Sequence, residues 1–245
     1  MYKMETRIRY SECGTDNKLK IEALINYFQD CTTENSERIG VGFSYLRERK
    51  RAWILNSWQI VIRRRPEVGE AVQICTWATG FQGVFGPRDF CMQTTEGEML
   101  ASAHSLWVYI DTETGRPMKP TEEEIAMYEV GDPIEMESVS RKIKFPKEAT
   151  TVDTFLVRQY HIDTNQHVNN SQYIQLAAEV IPEGYTVNGL RVEYTQFFKL
   201  FRLRIRNRSA KASAYYRNFL VSFKMRGCTK RADKIQNTVA FVKQR

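Results

Sequence analysis

Apolar residues recur at Leu19, Ile21, Leu24, Ile25 and Phe28, a spacing that lines one face of a helix. The pattern predicts a helix over 19–39, with Asn17 as its N-cap and Gly40-Val41-Gly42 as its stop. A short strand is expected before it, over 4–10. After it the period changes to two. Segments 53–63, 71–79, 88–95 and 99–110 read as strands. Ile54, Trp58, Ile60 and Ile62 share a face of the first, and Leu100, Leu106, Val108 and Ile110 a face of the last. Turn signals separate them: Pro66 and Gly69, then 80–87, then Glu96-Gly97. One long helix followed by an antiparallel meander implies an α+β unit whose sheet wraps the helix.

Residues 111–148 read as a connector. Pro117 and Pro120 break structure, and Thr121-Glu122-Glu123-Glu124 has the cap and acidic first turn of a helix start. The second half then repeats the first. A strand over 154–160 leads into a polar loop, a helix over 170–179 ended by Pro182 and Gly184, and a strand over 189–198. Strand, polar loop and helix recur at an offset of about 150 residues, which an internal duplication explains most simply. The expected division is a unit over 1–135, a linker over 136–148 and a second unit over 149–245. In its last 45 residues the strand candidates are 200–205, 219–223 and 238–242.

Composition narrows the class. With 42% hydrophobic and 27% charged residues the chain is an ordinary globular protein. No apolar run approaches the roughly 18 residues of a membrane span, and the first residues lack a signal peptide's apolar core. A cytoplasmic location is expected. Five scattered cysteines with no C-x-x-C pair argue against a disulfide scaffold or a zinc knuckle. The net charge of +7 is uneven. Residues 194–245 hold 14 Lys/Arg against one acid, Asp233, so that segment carries +13 and the rest −6. Such a tail suits nucleic acid, yet no nucleic-acid-binding motif accompanies it, and no nucleic-acid partner is expected.

The densest chemistry lies at 160–170, where an acid, two histidines and three asparagines precede an apolar helix. In an extended segment Asp163, Asn165 and His167 point to one face. A carboxylate can orient an imidazole, an amide can hold a water or a carbonyl, and N–H groups at the helix start can receive an oxyanion. Together these suit general-base attack of water on an acyl carbon. The same residues also serve as an Asx-turn and a helix cap, with His167 as a packing residue. Composition and spacing leave both readings open. No phosphate loop, H-E-x-x-H or G-x-S-x-G is present, and three histidines, with His104 remote in sequence, make a metal site unexpected.

The run Asp163-Thr164-Asn165-Gln166-His167-Val168-Asn169-Asn170, followed by Tyr173-Ile174, resembles the D-x-N-x-H-V-N-N-x-x-Y-[IL] signature of acyl-ACP thioesterases. Trp53-Ile54-Leu55, Trp58-Gln59-Ile60, Thr76-Trp77 and the segment 103–117 resemble further family segments, and the likeness extends over about residues 2–194. The resemblance implies a tandem (double) hot-dog fold. It also implies hydrolysis of fatty acyl-acyl carrier protein to free fatty acid and holo-ACP, without metal or dissociable cofactor. Asp163, Asn165 and His167 would be the catalytic set, with His161 a bystander. The acyl chain would enter a tunnel in the N-terminal hot dog, where Trp53, Trp58 and Trp77 are candidates to limit its length, though each also suits plain core. The partner would be acyl carrier protein, received on a basic surface drawn from Arg47, Arg49, Lys50, Arg51 and Arg63-Arg64-Arg65, by a monomer or homodimer. An acyl-CoA thioesterase, or an impaired acyl-ACP-binding hot-dog protein, is the alternative.

The resemblance stops after Tyr194. Plant members carry a Glu-Cys pair where this chain has Phe197 and Phe198, and Glu193 reads as a strand-surface residue rather than a substitute. The composition turns basic at the same place, as a shifted reading frame near codon 195 would make it.

Overall fold

The computed structural model describes residues 1–137, 154–155, 158–165, 167–179, 181, 185–194, 219–227 and 236–244, with 154–155, Tyr185, 219–227 and 236–244 described by backbone alone. Its elements are β1 (Tyr2–Arg7), α1 (Ile21–Arg38), α2 (Phe43–Glu48), β2 (Arg51–Ile62), β3 (Ala71–Ala78), β4 (Phe85–Thr94), β5 (Met99–Asp111) and α3 (Glu122–Ala126) in the first half. In the second they are β6 (Thr154–Phe155), α4 (Asn170–Ala178), β7 (Tyr185–Tyr194), β8 (Phe219–Gly227) and β9 (Gln236–Gln244). The strands form one sheet in the order β1-β3-β4-β5-β2-β7-β8-β9-β6. The two halves meet where β2 pairs antiparallel with β7, from Ser57↔Glu193 to Val61↔Gly189.

Helix α1 lies across the first half of the sheet. Its Leu24, Ile25, Phe28 and Cys31 are buried, as the helical spacing requires. Phe28 meets Trp58 and Phe90 at 6.0 and 5.2 Å between ring centroids. Truncating such a residue to alanine costs about 3–5 kcal/mol. Thr121 caps α3 as expected, accepting from Glu124 N while Glu124 accepts from Thr121 N at 2.7 Å.

Two local expectations fail for identifiable reasons. Asn17 does not cap α1, which begins at Ile21. Asn17 instead takes φ = 58°, the left-handed turn position that asparagine tolerates better than most residues. In β2 the buried face is Leu55, Trp58, Ile60 and Ile62, not Ile54. The register against β5 slips between Leu55 and Ser57, and one extra residue in a strand reverses the parity of everything before it.

The second half is built in the same way with a shorter helix. The strand expected over 154–160 is β6 followed, within its last residues, by a 3-10 turn at Gln159–His161. Strands at 219–223 and 238–242 fall within β8 and β9. The candidate at 200–205, the residues after Tyr194 up to 218 and most of the expected linker (138–148) lie outside the described residues.

Candidate active site

The described residues of 158–170 form a closed turn rather than an extended strand. Ile162 bridges Val168, Asp163 N donates to His167 O at 2.7 Å, and Asn169 N donates to His161 O at 2.8 Å. Inside it, Asp163 Oδ1 accepts from Asn165 N at 2.8 Å and from His167 N at 3.1 Å. The carboxylate therefore folds the loop through main-chain bonds and does not bond the imidazole. Asn169 caps α4, its Oδ1 accepting from Ser171 N at 2.9 Å and from Ser171 Oγ at 3.0 Å.

The helix-start N–H groups expected from the sequence to receive an oxyanion are partly engaged within the chain. Asn169 N, Ser171 N and Gln172 N are all bonded within the chain, to His161 O, Asn169 Oδ1 and Asn169 O. A capping asparagine uses some of the donors that an anion would need.

The loop is held against the first half. Asn170 Nδ2 donates to Gln29 Oε1 of α1 at 3.2 Å, and Tyr194 of β7 donates to Asn170 O at 3.4 Å. Between loop, helix and sheet lies a cavity of about 520 Å³. Asp163, Asn165 and His167 all line it, together with Tyr173 and Tyr194, and it continues beneath α1 past Leu55 and Trp107 to Phe81, Arg88 and Tyr128. The tertiary fold thus brings the three polar residues to one wall, by a turn and not by strand alternation.

The other sequence candidates divide. Trp53 lines the cavity. Trp58 is buried in the core beside it, and Trp77, outside the lining, donates from Nε1 to Asp132 O at 2.9 Å. His161 accepts from Arg158 N through Nδ1 at 2.9 Å, and burial, then Arg158, lowers its pKa. His104 lies against buried Asp89 at 2.7 Å and is not part of the cavity lining. Glu193 sits next to buried Val192 in β7 and so faces the opposite side of the sheet. Of the basic residues, Lys50 pairs with Glu113 at 2.5 Å, Arg51 with Asp111 at 2.8 Å, Arg64 with Glu70 and Glu98, and Arg65 with Asp16. Arg47 and Arg51 line the cavity, whereas Arg64 and Arg65 hold loops. Sequence reading missed Gln29, Arg88, Tyr128 and Tyr194, whose relevance depends on which face of the sheet or helix they occupy. It gave no site role to Trp107 and Tyr173, which it met only within family-like segments. Among the described residues no cluster of three or more His, Cys, Asp or Glu is placed to hold a metal.

Residues 1–128 match the acyl-ACP thioesterase N-terminal domain, and residues 144–196 the C-terminal domain of the same enzymes. The chain belongs to the acyl-ACP thioesterase family. It is 32% identical over 206 residues to a chloroplastic palmitoyl-acyl carrier protein thioesterase of Gossypium hirsutum, an alignment covering 76% of this chain and 49% of that one. The chain spans about half the length of the curated relatives it matches. The fold is also that of an acyl-ACP thioesterase from Bacteroides thetaiotaomicron (TM-score 0.73, 20% identity, 98% of this chain and 96% of that) and of the 12:0-ACP thioesterase from Umbellularia californica (0.70, 20%, 99% and 93%). The α+β architecture is therefore the hot-dog arrangement of acyl-ACP thioesterases. The C-terminal family match ends at residue 196, beside the point where the composition turns basic.

Proposed function

We propose that this chain hydrolyses fatty acyl-acyl carrier protein to free fatty acid and holo-ACP. The observation that carries the proposal is the cavity, which puts an amide, an imidazole and a carboxylate at one end of a largely apolar channel through the first half. In this reading the N-terminal hot dog (1–135) takes the acyl chain, and the C-terminal one (149–245) brings the catalytic loop. His167 activates water, Asn165 orients the thioester carbonyl, and Asp163 both closes the turn and supports the attack. These steps need only the chain's own groups. Arg47 at the cavity rim suits an acidic carrier protein better than the loop-holding Arg64 and Arg65. Two hot dogs already pair within one chain through β2 and β7, so a monomer or a homodimer suffices. The free Cys13, Cys31, Cys75 and Cys91 fit the reducing cytoplasm.

The test is thiol release from a panel of acyl-ACPs and the matching acyl-CoAs. Wild type is expected to cleave acyl-ACP faster than acyl-CoA, and His167→Ala to lose about 10²–10⁴ in rate while unfolding at the wild-type temperature. Full activity in His167→Ala would overturn the role of that residue. Phe197 and Phe198, where plant members carry a Glu-Cys pair, favour a second reading, an acyl-ACP-binding protein with impaired turnover. Tight acyl-ACP binding without thiol release by wild type would establish it.

A further inference from the structure

The cavity runs across the sheet. Its catalytic-loop end lies over β7 and β2, and its other end over β4 and β3, where Arg88 and Ala78 line it. Three strand spacings separate β7 from β4, about 14 Å. At that far end the wall comes from the connector: Tyr128, two residues beyond α3, lines the cavity. The Tyr128 ring lies 5.2 Å from that of Phe81 and 5.8 Å from the Arg88 guanidinium carbon. Its hydroxyl accepts from Trp53 Nε1 at 3.1 Å. Gly86 makes the arrangement possible, since a Cβ there would stand 2.9 Å from two atoms of the Trp53 ring.

The segment bearing Tyr128 is fixed through other groups. Buried Glu124 accepts from Tyr109 Oη at 2.6 Å, and Gly131 N donates to Ala78 O at 2.9 Å. Trp77 Nε1 donates to Asp132 O, and Ile134 N to Asp89 Oδ2 at 2.7 Å. None of these bonds uses the Tyr128 side chain. Trp53 and Arg88 differ in this respect. Trp53 stacks on Tyr109 at 4.6 Å, and Arg88 bonds Asn35 and Thr76, so removing either disturbs sheet or helix. Tyr128 is the one of the three whose removal lengthens the cavity while its backbone anchors stay in place.

We propose that Tyr128 is the terminal stop of the cavity and sets the longest acyl chain the protein accepts, an assignment that rests on reading the cavity as the acyl site. Hydrolysis of an even-carbon saturated acyl-ACP series by the full chain tests it. Tyr128→Ala is expected to raise kcat/KM for chains two or more carbons beyond the wild-type optimum by about tenfold relative to the optimum itself. Tyr128→Phe, which keeps the ring, should leave the profile unmoved, and Tyr128→Trp should shift it to shorter chains. An unshifted profile in Tyr128→Ala, with short-chain turnover retained, overturns the proposal. Should Tyr128→Ala lose short-chain turnover too, Tyr128→Leu replaces it under the same criteria.

Displacement of a fluorescent fatty acid by free fatty acids of the same lengths separates this proposal from the hydrolase reading. A length limit in binding that Tyr128→Ala relaxes supports the stop even if wild type cleaves nothing. A limit that does not move refutes it even if wild type cleaves well.

Discussion

The loops that enter α1 and α4 have one backbone and two chemistries. Tyr10–Glu12 and Gln159–His161 are both 3-10 turns, Cys13↔Leu19 and Ile162↔Val168 both bridges, and each pair is offset by 149 residues. Gly14 N→Lys18 O recurs as Asp163 N→His167 O, and Lys20 N→Glu12 O as Asn169 N→His161 O. Even the entry bond recurs: Arg9 N donates to Glu12 Oε2 and Arg158 N to His161 Nδ1, each at 2.9 Å. What differs is which side chain closes the turn. In the first loop Asp16 Oδ1 accepts from Lys18 N at 3.2 Å. In the second, that work moves to Asp163, at the position of Gly14, and Asn165 in the place of Asp16 lines the cavity. The duplicated turn is thus a scaffold that folds without chemistry, and a shift of its acceptor by two residues releases a side chain for the site.

The two loops are expected to differ most in their effect on turnover. His167→Ala should slow thioester hydrolysis by about 10²–10⁴, whereas Lys18→Ala, at the matching position of the first loop, should leave it within about twofold, both read by thiol release. The double change Asp163→Gly with Asn165→Asp writes the first loop's acceptor into the second. It should lose about 10²-fold or more in rate while melting within a few degrees of wild type, since a turn-closing carboxylate is retained. Asp163→Ala alone removes the acceptor of two main-chain N–H groups, and should cost about 1–3 kcal/mol in denaturant unfolding as well as activity.

The smallest expected effect is in pH dependence. Burial, then Arg158, lowers the His161 pKa in the folded chain, so the unfolded chain binds that proton more readily. Stability should therefore rise with pH through the window below the ordinary histidine value near ~6.5 and be fully present above it. His161→Glu, which installs the first loop's residue, should keep the bond from Arg158 N and remove that histidine-dependent slope, as followed by melting temperature against pH.

Much of this was legible from residue order because it depends on local physics. The helix face of Leu24, Ile25 and Phe28, the Thr121 cap and the approximate repeat offset all follow from periodicity, capping and self-similarity. Legibility failed where one residue changes a count. The slip between Leu55 and Ser57 turned the wrong isoleucine inward on paper, and the left-handed turn at Asn17 moved the start of α1. The basic stretch after Tyr194 is a different kind of break. Translating the coding DNA in its other frames should reveal a family-like continuation if a frame shift produced it, and its absence would dismiss that explanation.

By itself the sequence determined the type of fold, the existence of a second helix entrance rich in Asp, Asn and His, and the family to which that entrance points. Those features are written in spacing and residue type, which short-range sterics and hydrogen bonding convert directly into structure. The tertiary structure alone brought Arg88 and Tyr128 to the same cavity that Asn165 and His167 line. That outcome depends on β2 pairing with β7 and on a connector crossing to β3 and β4. Long-range pairing of this kind brings together residues whose separation along the chain says nothing about their distance in space.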